Sequence, residues 1–124
     1  MERTALAVIT AAVMFEVLGQ VALKRGSVGV VRASANANAV RYWRDLLLNG
    51  WIQLGTAVHV VGLLFWIAAL NLMPLNVAFP LGSLSYCGVA LAGHYWLGEK
   101  MGRRTITAIA IITVGAALVG WHQR

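Results

Sequence analysis

Charge is scarce in this sequence. Only 11% of its 124 residues are Asp, Glu, Lys or Arg, where a soluble domain carries about 25%. Carboxylates are the rarest of these, with four acidic residues against ten basic ones. There is no pair of neighbouring carboxylates, no nucleophile with a His and carboxylate arrangement, and no phosphate-cradling Gly-rich loop, so no enzyme is expected. The three histidines, His59, His94 and His122, lack any metal-ligand spacing, and neither a metal nor a cofactor is expected. Cysteine is nearly absent as well. Cys87 stands alone in an apolar run, so no disulfide framework can form within the chain, and it says little about redox compartment.

What fills the sequence is apolar surface: 60% hydrophobic residues and a mean hydropathy of +0.74. The apolar residues fall into four runs, Thr4 to Leu23, Trp51 to Leu72, Val77 to Leu97 and Thr105 to Trp121. A run of about 20 residues is roughly 30 Å as a helix, enough to cross the hydrocarbon core. The runs are too continuous for the alternating strands of a membrane barrel, so helices are the expected spanning form. Trp51, Tyr95, Trp96 and Trp121 fall near run ends, where amphipathic rings favour the interface. The expected architecture is an all-α integral membrane protein, one domain over residues 1–124, with four transmembrane helices. The first run is too long for a secretory signal, contains Glu16 and is followed by Lys24 and Arg25.

The one long connection runs from Arg25 to Gly50. Its middle, Ser27 to Asn38, is small and polar and reads as a loop or disordered hairpin. Its end, Val40 to Leu48, mixes Arg41, Tyr42, Trp43 and Arg44 with leucines, which predicts a short amphipathic interfacial helix between spans one and two, or an early extension of span two, over a loop whose aromatics merely pack on the bundle. The connections after spans one and three hold Lys24, Arg25, Arg32, Arg41, Arg44, Lys100, Arg103 and Arg104, eight of the ten basic residues, leaving Arg3 and Arg124. The positive-inside rule puts both basic connections in the cytoplasm and both termini outside. The net charge of +6 then suits anionic lipid head groups rather than nucleic acid.

Glu16 is the acid inside a span, and burying it in hydrocarbon costs a few kcal/mol. Glu16, Gln20 and Lys24 follow at i, i+4 and i+8 and share a helical face. The face marks an ion or substrate path, or else a Glu that only helps helices assemble. In span two Gly55, His59, Gly62 and Trp66 form one stripe whose small residues admit a neighbouring helix. A lone His there is either a packing residue or a transport residue. In span three Pro80 predicts a kink unless the helix begins there, and beside it Gly82, Ser83 and Ser85 leave space and hydroxyls. Those residues suit a groove against span one, or ordinary small-residue packing.

Gly19-Gln20 with Lys24 after it, and Leu97-Gly98-Glu99 before a basic turn and a Gly-rich last span, resemble the drug/metabolite transporter superfamily. Within it, the stretch Pro74 to Leu84 is similar to the start of helix three in small flippase subunits for aminoarabinose-phosphoundecaprenol. The resemblance covers most of the chain outside Ser27 to Asn38. It implies movement of a polyprenyl-phosphate-linked sugar lipid across the bacterial inner membrane, toward the periplasmic leaflet, by small subunits working as a homo- or heterodimer. A second likeness runs through Phe15-Glu16-Val17-Leu18-Gly19 and Trp96 to Met101, which look like small multidrug resistance transporters. There the first-helix Glu, here Glu16, binds protons and cationic drugs in turn. Pro80 is foreign to that group, and the eight-to-two charge bias argues against its antiparallel dimers. Glu16, conversely, departs from the flippase pattern.

The expected substrate or proton contacts are therefore Glu16, Gln20, His59, Trp66, Phe79, Pro80, Ser83 and Tyr86. Lys24, Arg25, Arg41, Arg44 and Arg103 are expected to attract a lipid phosphate, at about 1 kcal/mol per charge. The alternatives are proton-coupled export of a small cation, and a non-transporting subunit that stabilises a glycosyltransferase.

Overall fold

A computed structural model describes residues 3–35 and 38–122, the backbone alone at 120 and 122; Glu2, the His122 side chain and Arg124 lie outside the described residues. Six helices follow one another: α1 (Arg3–Ala33), α2 (Ala39–Leu48), α3 (Gly50–Leu72), α4 (Leu75–Gly82), α5 (Leu84–Leu97) and α6 (Arg103–His122), with no strand among the described residues. Three stretches are long and apolar enough to cross a membrane, Arg3–Ala33, Gly50–Leu72 and Leu75–Leu97. The last is α4 and α5 taken together. α6 is a further helix of 20 residues.

The main helix pair is α1 against α3. Its seam is built from small residues seven apart: Ala5, Ala12, Gly19 and Gly26 on α1, all buried, and Gly55, Gly62 and Ala69, the buried residues of α3. A seven-residue period keeps one stripe facing a partner helix, and small residues let backbones approach in lipid, where apolar burial alone drives little association. The register is antiparallel. A Cβ at Gly26 would meet Ile52, one at Gly55 would meet Leu23 and the Gly19 carbonyl, and one at Gly62 would meet Phe15. Beyond Gly62, Ala5, Ile9, Ala69, Met73, Val77 and Ala78 form a buried cluster that closes the end of the pair with the α3–α4 turn. α5 packs on α1, and among the described residues α6 packs on α4 and α5 alone. Much of the outer surface is apolar, including Leu63, Leu64, Ile111, Val114 and Leu118, as a lipid-facing surface requires.

The loop expected over Ser27 to Asn38 is corrected. α1 continues through Ala33, and only Ser34, Ala35 and Asn38 are non-helical among its described residues, Asn36 and Ala37 lying outside them. Low helix propensity is overridden here by packing. Gly26 and Val30 are buried, Ser27 Oγ donates to the Lys24 carbonyl at 3.0 Å, and Ser34 Oγ donates to Asp45 Oδ2 at 3.3 Å. The helix expected over 40–48 is present as α2, and none of its residues is buried. Asn49 separates α2 from α3 and caps α3, its Oδ1 accepting from the Trp51 and Ile52 amides at 3.0 and 3.3 Å.

The third apolar run holds Pro80, which has no N–H for the helix ladder, and a one-residue irregularity at Ser83 divides α4 from α5. Ser83 keeps right-handed helical angles, φ −62° and ψ −16°, and its amide donates to the Phe79 carbonyl at 2.9 Å, while the Tyr86 amide takes the tighter bond to the Ser83 carbonyl at 3.1 Å. Ser83 Oγ donates to the Pro80 carbonyl at 2.6 Å, satisfying an acceptor at the irregular turn. α5 ends on Gly98, whose φ of 70° is left-handed and suits glycine.

Candidate functional site

Between α1, α3 and the α4–α5 junction lies a groove of about 450 Å³, lined by Ala12, Glu16, His59, Gly62, Leu63, Trp66, Phe79, Gly82, Ser83, Ser85 and Tyr86. Glu16 comes from α1 one turn after Ala12. His59 and Trp66 come from α3 one heptad apart, on either side of Gly62. Phe79 and Gly82 come from α4, and Ser83, Ser85 and Tyr86 reach the same space from the junction and the start of α5. The groove exists because Gly62 and Ala12 add almost nothing to its walls, while Gly82 makes room for the Trp66 ring. A Cβ at Gly82 would sit 2.5 Å from Trp66 Cη2. Trp66 and Phe79 meet edge to face at 5.6 Å and 83°, in the geometry that aromatic quadrupoles favour. Next to the groove, Phe15 and Phe65 stack at 5.4 Å.

Six of the eight expected contacts thus share one space: Glu16, His59, Trp66, Phe79, Ser83 and Tyr86. Gln20 and Pro80 are not on its walls. Gln20 instead reaches His59, its Nε2 lying 3.5 Å from His59 Nε2, so it acts on the groove through that ring. Pro80 lies in α4 one turn before the irregularity at Ser83, and its carbonyl accepts from Ser83 Oγ. His59 Nδ1 is buried with no hydrogen-bond partner among the described residues, and its ring lies against Gly19, where any Cβ would overlap Nδ1. Ser85, expected with Gly82 and Ser83 beside a groove against span one, lies on its wall with them, whereas Ala12 and Leu63 were not legible from chemistry alone. The spacing of Ala12 to Gly19 and Gly26 carries the signal that would have put Ala12 opposite Gly62.

No Lys or Arg lines the groove among the described residues. The basic side chains are held elsewhere. Lys24, eight residues and about 12 Å along α1 from Glu16, pairs with Glu99 at 2.8 Å. Arg25 lies over the Trp51 ring at 5.5 Å, a cation–π contact. Arg41 and Arg44 share Asp45 at 3.8 and 3.6 Å. Arg103, at the start of α6, has no ion pair among the described residues and is exposed. Chemically, the groove offers one carboxylate, one imidazole, two seryl hydroxyls and three aromatic rings. The set suits an amine, a hydroxylated ring or both, and it suits a phosphate poorly.

Similar proteins carry a consistent name. The chain is 39% identical over 76 residues to a probable 4-amino-4-deoxy-L-arabinose-phosphoundecaprenol flippase subunit ArnE of Pectobacterium atrosepticum, covering 61% of this chain and 67% of the relative. It is 30% identical over 90 residues to the protein of that name in Photorhabdus laumondii, covering 68% of this chain and 80% of the relative. A Yersinia pestis protein of that name is 33% identical over 72 residues, 58% of this chain and 63% of the relative. No family model matches the chain, and no solved structure does. These relatives are named as transporter subunits and not as enzymes, and three apolar helices of spanning length agree with them. The chain belongs to the family of ArnE flippase subunits, multi-pass membrane proteins of the drug/metabolite-transporter kind.

Proposed function

We propose that this chain is one subunit of a flippase that moves a polyprenyl-phosphate-linked amino sugar across the bacterial inner membrane. The observation that carries this reading is the separation of charges. Glu16 stands in a groove of aromatic rings and hydroxyls without Lys or Arg, whereas Lys24, Arg25, Arg41, Arg44 and Arg103 lie outside it. An amino sugar enters the groove with its ammonium against the Glu16 carboxylate, and its ring packs on Trp66. The phosphate stays at the basic end, where each positive charge near an anionic surface contributes about 1 kcal/mol. Phe79 and Tyr86 are 59% and 67% exposed, so the groove opens sideways and the prenyl tail remains in lipid.

The topology that goes with this reading has four spans, α6 being the fourth. Both basic connections face the cytoplasm and both termini face outward. α2 rests in the head-group layer, with Arg41 and Arg44 toward phosphates and Trp43, Leu47 and Leu48 toward acyl chains, since all five are exposed. A second small subunit covers the open side of the groove, making a homo- or heterodimer.

The test is reconstitution. Proteoliposomes holding the protein, alone or with its partner subunit, should move a labelled amino-sugar prenyl phosphate between leaflets. Glu16→Gln should slow this by about 10- to 100-fold, the weight of a charge-assisted hydrogen bond. Wild-type protein that leaves the lipid in one leaflet sinks the reading.

The aromatic setting of Glu16 also favours a second reading, proton-coupled export of a small organic cation, because rings around a carboxylate suit a quaternary amine. Proton release on adding a quaternary ammonium compound would mark it. If Glu16→Gln alters only co-purification with a glycosyltransferase, the chain is a non-transporting subunit.

A further inference from the structure

Hydroxyls on the helices of this protein follow a habit. Thr10, Thr56, Thr107 and Thr113 each donate to the carbonyl four residues back, at 2.7, 2.8, 2.9 and 2.8 Å. Ser27 and Ser83 donate to the carbonyl three residues back. Ser85 does neither. It is 2% exposed, more buried than any of those six, and its hydroxyl makes no hydrogen bond among the described residues. The carbonyl four residues back belongs to Leu81 in α4, beyond the irregular turn at Ser83, and it accepts the Ser83 amide instead. Ser85 lines the groove, so its unpaired hydroxyl stands at the groove wall, open to a ligand there. The side-chain atom that is buried without a partner among the described residues is His59 Nδ1, and that atom lies against Gly19 on α1.

We propose that the Ser85 hydroxyl is a hydrogen-bonding contact for the ligand of the groove and makes that wall select a hydroxylated head group, a sugar, over an apolar cation. The proposal rests on the flippase reading and deepens it. Glu16 on α1 and Ser85 on α5 approach the groove from two elements, so one ligand carrying both an amine and a ring hydroxyl satisfies both, while an organic cation engages Glu16 and leaves Ser85 unpaired. A site built to hydrogen-bond a hydroxyl rejects analogues that lack it more strongly than apolar walls reject shape.

The experiment uses the full chain in detergent micelles and two probes, a short-chain prenyl phosphate carrying the amino sugar and tetraphenylphosphonium, with binding read from tryptophan fluorescence. Ser85→Ala should weaken the amino-sugar probe about tenfold and leave tetraphenylphosphonium unchanged. Ser85→Cys, which keeps the volume but donates poorly, should behave as Ser85→Ala does. A Ser85→Ala protein that holds the amino-sugar probe as tightly as wild type overturns the proposal. So does equal weakening of both probes, which would show Ser85 to be structural. Wild-type protein that does not bind the amino-sugar probe overturns the flippase reading itself, a different result from a variant that binds normally.

Discussion

Lys24 Nζ lies 2.8 Å from Glu99 Oε1, which ties α1 to the turn after α5. Both side chains are about half exposed, 52% and 51%, and Glu99 is held from behind. Its amide donates to the Gly93 carbonyl at 3.1 Å, and His94 Nδ1 donates to its carbonyl at 2.7 Å. Its carboxylate also occupies the space over Gly93, where a Cβ would come within 2.9 Å of Oε2.

An exposed ion pair contributes about 0–1 kcal/mol, so Glu99→Gln should leave thermal stability in detergent nearly unchanged. It should also free Lys24 for anions. Prenyl phosphate binding to vesicle-reconstituted protein should tighten up to about fivefold in Glu99→Gln and weaken by a similar factor in Lys24→Ala, as one charge near the surface dictates. Equal losses in both variants would mean the pair matters only as a structural tie.

Gly55 and Gly29 should respond to alanine with opposite signs. At Gly55 a Cβ would lie 2.9 Å from the Leu23 amide nitrogen and 3.0 Å from the Gly19 carbonyl oxygen, backbone atoms that cannot step aside. Gly55→Ala should force α1 and α3 apart at about 1–3 kcal/mol. At Gly29, also helical, nothing lies within 4 Å, and Gly29→Ala should gain up to about 1 kcal/mol from helix propensity. Unfolding followed by circular dichroism in mixed micelles checks both.

Gly82 sets the shape of the groove through Trp66. Gly82→Ala places a methyl 2.5 Å from Trp66 Cη2, and the ring, as the movable partner, should swing into the groove. Transport should fall at least tenfold while the helical circular dichroism signal persists. A shifted tryptophan emission with intact transport would contradict this account.

His59 trades stability for function. With Nδ1 buried and unpartnered, His59→Leu should be neutral or stabilising by roughly 1 kcal/mol, because an orphan polar atom is replaced by apolar volume. The same change removes a polar wall of the groove and the neighbour of Gln20, so transport should drop. Melting temperature and flipping rate, measured on one preparation, should move in opposite directions.

How far the chain could be read before folding differs from residue to residue. Glu16, His59, Trp66, Phe79, Ser83 and Tyr86 stood out because each is polar, aromatic or beside a helix breaker inside an apolar run, and all six line one groove. Gln20 stood out for the same reason yet reaches only His59, since a helical face narrows the direction of a side chain without saying what it meets. Ser27 to Ala33 looked like a loop by composition and is helix, because Gly26 and Val30 find burial that local propensity does not foresee.

The all-helical class, the apolar runs of spanning length and the position of a lone acid in the first of them were settled by the sequence. Hydropathy is a sum over neighbouring residues, and lipid leaves a single long apolar run little choice but helix. Tertiary structure alone decided that Gly19 faces Gly55, that Lys24 takes Glu99, and that Ser85 and Glu16 line one groove. Those contacts depend on the register between helices, which the small residues of the seam set through backbone approach and which no window of one helix contains.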